Sequence, residues 1–131
     1  QRMESGLAEA LLGYRLDPVA GPVVVLGAGG VLTEIYNDAA VRAAPVDIET
    51  ARTMIEEVRG LAPILGYRGQ REGDVDALAA AVAAVSALAL ADGPVVLEAE
   101  INPLMVKEKG QGKGGGAVAV DGLIVLAEAV P

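Results

Sequence analysis

The sequence contains no cysteine and no histidine. That excludes disulfide scaffolds, zinc sites of the usual Cys/His kind, thiol nucleophiles and Ser-His triads within this chain. Phenylalanine and tryptophan are missing too, and three tyrosines are too few to build base-stacking platforms. Basic residues are scarce: ten Lys and Arg stand against eighteen Asp and Glu, a net charge of −8. With a pI near 4.4 the chain repels phosphate backbones and anionic membrane surfaces. We therefore expect neither nucleic acid nor membrane among its partners. Long apolar runs are also lacking. Ala77–Ala91, the most apolar stretch, is closed by Asp76 and Asp92, consists mostly of Ala, and falls short of the ~18–20 residues a spanning helix needs. Gln1–Gly6 carries no apolar signal segment, and with the lack of cysteine this leads us to expect a cytoplasmic protein.

What is present suits one compact domain. The chain has 131 residues, of which 53% are apolar, and a mean hydropathy of +0.45 rules out a disordered polypeptide. Its core is to be built from Ala, Val and Leu. Glycine, at 17, is about twice its average usage, which points to many turns or backbone-lined sites. The first residue is Gln, so residues 1–131 are read as one unit from a longer protein.

Leu7–Leu16 alternates with period two: Ala8, Ala10, Leu12, Tyr14 and Leu16 on one face, Leu7, Glu9, Leu11, Gly13 and Arg15 on the other. After the Asp17-Pro18 and Gly21-Pro22 turns, Val23–Leu26 reads as a buried strand. Gly27-Ala28-Gly29-Gly30 leads into Val31–Tyr36, again strand-like, and a short segment ends at Ala43-Ala44-Pro45. Asp47 is the N-cap of a predicted helix through Val58, with Ile48, Ala51, Met54, Ile55 and Val58 on one face. Asp74 opens a second helix to about Ala91, with Leu78, Val82, Val85 and Leu88 toward the core. The last third predicts a hairpin, Val95–Val106 and Ala117–Leu126, around a Lys/Gly loop over Lys107–Gly116 that has no apolar anchor. The order implies an α+β fold: a mostly antiparallel sheet with two main helices packed on one face.

The chemistry concentrates in the hairpin. Alternation sends Val95, Leu97, Ala99 and Ile101 into the core and aligns Glu98, Glu100 and Asn102 on the opposite face. Folding about the loop centre sets Val106 opposite Ala117 and Asn102 opposite Asp121. Directly paired Cβ atoms lie ~4.5–5.5 Å apart, close enough for two oxygen donors to share one hard cation. Glu100, ~7 Å along the strand, stays within shared reach, whereas Glu98 at ~13 Å does not. Few oxygen ligands suit Mg²⁺, which keeps waters and is completed by substrate phosphates. The same pattern also describes a solvated sheet edge, with Asp121 a turn residue before Gly122.

Gly27–Gly30 is not a Rossmann loop, because it opens a β pattern rather than a helix. It reads as an inter-strand turn whose Gly29 and Gly30 amides are available to line a phosphate path. Glu9 is either a solvated edge carboxylate or, if buried, one that needs ribose hydroxyls or Arg15 as partner. Arg42 and Arg68 offer bidentate anion contacts or surface ion pairs.

Gly13-Tyr14-Arg15-Leu16-Asp17-Pro18, Gly21-Pro22-Val23-Val24, Gly27-Ala28-Gly29-Gly30, Arg42-Ala43-Ala44-Pro45, Gly66-Tyr67-Arg68-Gly69 and Glu100-Ile101-Asn102-Pro103-Leu104 follow one another in an order that resembles the ATP-grasp domain of NDP-forming acyl-CoA synthetases. These are the ADP-forming acetate–CoA ligases, related to the succinyl-CoA synthetase β subunit, and the resemblance spans nearly the whole chain. It implies an ATP-grasp C-terminal subdomain, with ATP/ADP held against an N-terminal subdomain that supplies a phosphate-binding lysine. By the family pattern Asn102 and Asp121 match Mg²⁺ ligands and Glu9 matches a ribose contact. Glu100, where the family commonly has Asp, is kept as a third candidate metal ligand from its strand spacing, and Gly29, Gly30 and Arg42 as candidate nucleotide-binding positions from their own contexts; no catalytic residue is assigned.

The implied reaction interconverts acyl-CoA, phosphate and ADP with carboxylic acid, CoA and ATP. Phosphate rides on a histidine of a partner domain or subunit, alongside CoA-binding domains, and a homo-oligomer is compatible with this. The run Asp121-Gly122-Leu123 departs from the pattern, since a basic residue often follows the metal-ligand Asp. A non-catalytic docking or dimerisation module on the same fold is the alternative.

Overall fold

The computed structural model describes residues 7–29, 38–66, 72–110 and 116–128. Three strands come first: β1 (Ala8–Asp17), β2 (Gly21–Ala28) and β3 (Ala39–Ala43). They are followed by α1 (Ile48–Glu57), a 3-10 helix over Arg59–Ile64, α2 (Val75–Ser86) and a 3-10 turn over Ala87–Leu90. β4 (Val96–Val106), β5 (Ala117–Ala119) and β6 (Gly122–Leu126) complete the chain. Every pairing is antiparallel, in the order β3-β2-β1-β4, with β5 and β6 both pairing along the far edge of β4. The fold is α+β, as the order of strands, then helices, then strands implies.

Cross-strand partners share a face, so the register decides which side chains meet the helices. Ala10 stands opposite Leu104, Leu12 opposite Leu26, and Leu26 opposite Ala40. These residues, with Val24 and Val106, form one buried cluster with Ala51, Met54, Ile55 and Val58 of the first helical segment. Leu61 and Ile64 of the 3-10 helix and Leu78, Ala79 and Val82 of α2 complete it. The helices therefore cover one sheet face, and both start where expected: Asp47 accepts from the Thr50 amide and Asp74 from the Ala77 amide. The Thr50 amide, helped by its hydroxyl, holds the Asp47 carboxyl below its ordinary pKa.

Several expectations need correcting. Ile48, expected on the core face of α1, is exposed. The second helix is α-helical only to Ser86 and tightens into a 3-10 turn before Ala91. Between the two predicted helices, Arg59–Ile64 coils into a 3-10 helix that buries Leu61 and Ile64. Val95 and Leu97 do not enter the core: they are 52% and 39% exposed, and Val96 is buried instead. The reason is a register shift between Val96 and Glu98 in the β4–β6 pairing, which reverses the alternation there. The second hairpin arm is split into β5 and β6. The base of the Lys/Gly loop is stitched by backbone bonds: the Asp74 amide donates to the Lys107 carbonyl and the Lys109 amide to the Glu72 carbonyl. The strand expected over Val31–Tyr36 lies outside the described residues.

Ser86 is the one fully buried polar residue among those described. Its Oγ accepts from the Val46 amide at 2.9 Å and donates to the Ala83 carbonyl at 2.8 Å, tying the β3–α1 connection to α2. Ser86→Ala leaves that amide unpaired and is expected to cost about 1–3 kcal/mol, read as a lower urea midpoint with an unchanged slope. An unchanged midpoint would show that water reaches the Val46 amide.

Candidate functional site

The sheet face away from the helices carries the acidic groups. On β1 it presents Glu9, Leu11, Gly13 and Arg15, the residues that alternate with buried Ala10, Leu12 and Tyr14, whereas Leu7, expected on this face, packs against the core. Gly13 lies between Val25 and Glu100, and Glu100 is in turn opposite Leu123. Arg15 stands opposite Glu98, and its guanidinium pairs with Asp17 at 3.4 Å. Asp17 also accepts from the Ala20 and Val19 amides, which hold its carboxyl below its ordinary pKa.

The β1–β4 pairing slips by one residue between Ala10↔Leu104 and Leu12↔Ile101. Asn102 and Pro103 thus oppose the single residue Leu11, a bulge of the kind that re-aims side chains next to binding sites. Across β4 from this bulge the chain passes from β5 to β6. The pairing expected from the hairpin is observed there: Val106 faces Ala117, Leu104 faces Ala119, and Ile101 faces Gly122. Between these pairs the Asn102 amide donates to the Asp121 carbonyl at 3.1 Å and the Val120 amide to the Pro103 carbonyl at 3.0 Å. Asn102 and Asp121 are exposed and Glu100 is half-buried. Asp121 Oδ1 accepts from the Gly122 amide at 2.9 Å, so the residue also stabilises its turn. An amide oxygen, a carboxylate and a neighbouring second carboxylate are all hard oxygen donors. That set fits Mg²⁺ when phosphate oxygens and waters complete the shell.

Glu9 and Gly29 come together two residues along β1 from the bulge. The Gly29 amide donates to the Glu9 carbonyl at 2.7 Å, extending the β1–β2 ladder one step past Ala28. On its far side Glu9 stands opposite Met105. Sequence reading missed Met105, because the bulge at Asn102-Pro103 shifts the alternation and brings it onto the face of Glu9. The end of β2 is braced from below. Asp38 accepts from the Arg59 and Gly60 amides at 2.8 and 2.6 Å. A Cβ on Gly60 would lie 2.4 Å from that of Ala28.

Arg42 is not brought to this face. It stands opposite Val24, a core residue, and pairs with Glu57 of α1. Gly30 and Arg68 lie outside the described residues. Among the described residues no three His, Cys, Asp or Glu side chains cluster to hold a metal by themselves, and no helix is long and apolar enough to cross a membrane.

A family model for the ATP-grasp domain matches residues 1–126. An acetate–CoA ligase (ADP-forming) I of Archaeoglobus fulgidus is 38% identical over 130 residues, covering 99% of this chain and 18% of that protein. The β subunit of the Pyrococcus furiosus acetate–CoA ligase (ADP-forming) I is 36% identical over 118 residues, covering 90% of this chain and 48% of that subunit. The chain thus spans about half the length of that subunit. Among solved structures, a dinucleotide-forming acetyl-coenzyme A synthetase 1 from Ca. Korarchaeum cryptofilum, in complex with coenzyme A and Mg-AMPPCP, superposes with a TM-score of 0.80 at 29% identity, over 95% of this chain and 55% of that one. A Pyrococcus horikoshii protein superposes with a TM-score of 0.84 at 30% identity, over 98% of this chain and 52% of that one.

Proposed function

Since the chain belongs to the ATP-grasp domain family, we propose that it is the C-terminal, nucleotide- and Mg²⁺-binding subdomain of an NDP-forming acyl-CoA synthetase. The observation that carries this reading is the backbone-bonded pair Asn102–Asp121, set beside a bulge and flanked by Glu100. Glu9 lies on the same sheet face, with its backbone about 8 Å from that of Asn102 by strand geometry. A ribose with a 5′-diphosphate bridges such a span: its hydroxyls reach Glu9 and its phosphates reach the oxygen donors. Similarity to a synthetase that holds Mg-AMPPCP and coenzyme A supports the same assignment.

In this reading Glu9 accepts the ribose hydroxyls, and Gly30 is the candidate for the phosphate path, because the Gly29 amide already donates to the Glu9 carbonyl. Asn102 and Asp121, with Glu100, would hold Mg²⁺. When bound, the ion neutralises phosphoryl oxygens. Arg42 is occupied by Glu57 on the other face and takes no part. The chain contains no histidine, so the phosphohistidine that carries phosphate between acyl-CoA and ADP belongs to a partner domain or subunit, as do the coenzyme A and acid pockets.

A docking or dimerising module on the same sheet is the competing reading, favoured by β6. Its Leu123, Ile124, Val125 and Leu126 are 38–59% exposed. Titration calorimetry of the assembled protein with MgADP separates the two. Binding that weakens when EDTA removes the metal is the expected result. No heat of binding with or without metal would overturn the nucleotide assignment in favour of docking.

A further inference from the structure

Three glycines among those described make approaches too close for a Cβ: Gly29, Gly60 and Gly73. Gly73 presses on Ile64, and Gly60 presses on Ala28 and the Asp38 carboxylate. Gly29 instead presses on the root of a candidate binding side chain. A Cβ placed there would lie 2.8 Å from the Glu9 Cβ and 3.2 Å from the Glu9 carbonyl carbon and oxygen. The 2.7 Å bond from the Gly29 amide to that same carbonyl holds the two backbones at this separation. On its other side Glu9 faces Met105, which is only 8% exposed. The Glu9 Cβ therefore occupies a slot between the bare Gly29 backbone and the Met105 strand, and a methyl group at position 29 has nowhere to go without displacing it.

We propose that Gly29 is a positioning residue: by leaving room for the Glu9 Cβ it sets where the exposed Glu9 side chain leaves the sheet, and so sets nucleotide affinity through the ribose end. This differs from a phosphate contact made by its own amide, because that amide already donates to Glu9. The inference rests on the reading of Glu9 as a ribose contact.

A double-mutant cycle in the assembled enzyme tests it. Gly29→Ala is expected to raise KM for ADP roughly tenfold, the loss of one charge-assisted hydrogen bond. KM for acyl-CoA and kcat stay unchanged, a split that general loosening of the fold does not produce. Affinity for adenosine, which has no phosphate, falls in parallel. In a Glu9→Gly background, Gly29→Ala should change ADP affinity by less than about twofold, because the tightest contact, with the Glu9 Cβ, is gone together with the carboxylate it would displace, leaving only the 3.2 Å backbone contacts. An equal loss in both backgrounds, or a loss for ADP without one for adenosine, would overturn the proposal in favour of a direct phosphate contact. Should Gly29→Ala fail to fold, the double variant Glu9→Gly/Gly29→Ala is expected to fold, and its failure would also overturn the proposal. Glu9→Gly alone with unaltered ADP affinity refutes the ribose reading itself, a separate outcome.

Discussion

Asp121→Ala in the assembled enzyme is expected to lower Mg²⁺-dependent ATP formation by at least about 100-fold, since partners one shell further from a metal already cost 10–100-fold. Asp121 sits between β5 and β6, and its position opposite Asn102 is held by backbone atoms: its own carbonyl accepts from the Asn102 amide at 3.1 Å. The side chain is exposed, and among the described residues it accepts one hydrogen bond, from the adjacent Gly122 amide. Removing it takes a hard oxygen donor from the site and little from the core, so the thermal midpoint should barely move. Asp121→Asn keeps the shape and an oxygen for the Gly122 amide but loses the negative charge. It should match the wild type in stability and the alanine variant in lost activity, with partial recovery at high Mg²⁺. Steady-state ATP formation across a Mg²⁺ titration measures all of this. Wild-type turnover in Asp121→Ala would sink the metal assignment.

The second large effect belongs to the fold. Leu12 is fully buried at the middle of β1, opposite Leu26 on one side and Ile101 on the other. It also borders an opening of about 280 Å³ shared with Val85, Leu88, Ile101 and Ile124. Leu12→Ala removes its share of the core and enlarges a space already open beside it, so the cost should fall near the upper part of the ~2–5 kcal/mol range for such truncations. Against a total stability of ~5–15 kcal/mol that is a large fraction. Urea unfolding measures it: the midpoint falls sharply while the slope stays constant. A loss below ~1 kcal/mol would mean that α2 settles into the space, against the close packing expected of a core.

Much of the site was legible because short-range rules govern it. The loop Lys107–Gly116 has one symmetric way to close, so its centre alone gives the register that sets Asn102 opposite Asp121. Asp47 and Asp74 announce their helices because a carboxylate before an apolar-periodic run satisfies free amides of the first turn. The alternation of β1 assigns Ala10 and Leu12 to one face and Glu9 to the other. Arg42 was misleading for a local reason: Ala39–Ala43 is too short and too rich in alanine for its faces to be told apart. Its pairing with Val24 and Glu57 is a product of long-range register.

The sequence by itself determined the α+β character, both helix starts, which residues of β1 face the core and which face away, and the opposition of Asn102 and Asp121, together with a resemblance that the family match over residues 1–126 bears out. All of these follow from periods, caps and turns that act within a few residues. Only the tertiary structure decided where alternation breaks: the slips between Ala10 and Leu12 and between Val96 and Glu98 bury Val96, expose Leu97 and bring Met105 beside Glu9. It also decided that Gly29 meets Glu9 and that Arg42 turns to the helices. A bulge is a compromise between two strands pairing at once with a third, and no single strand carries the information to place it.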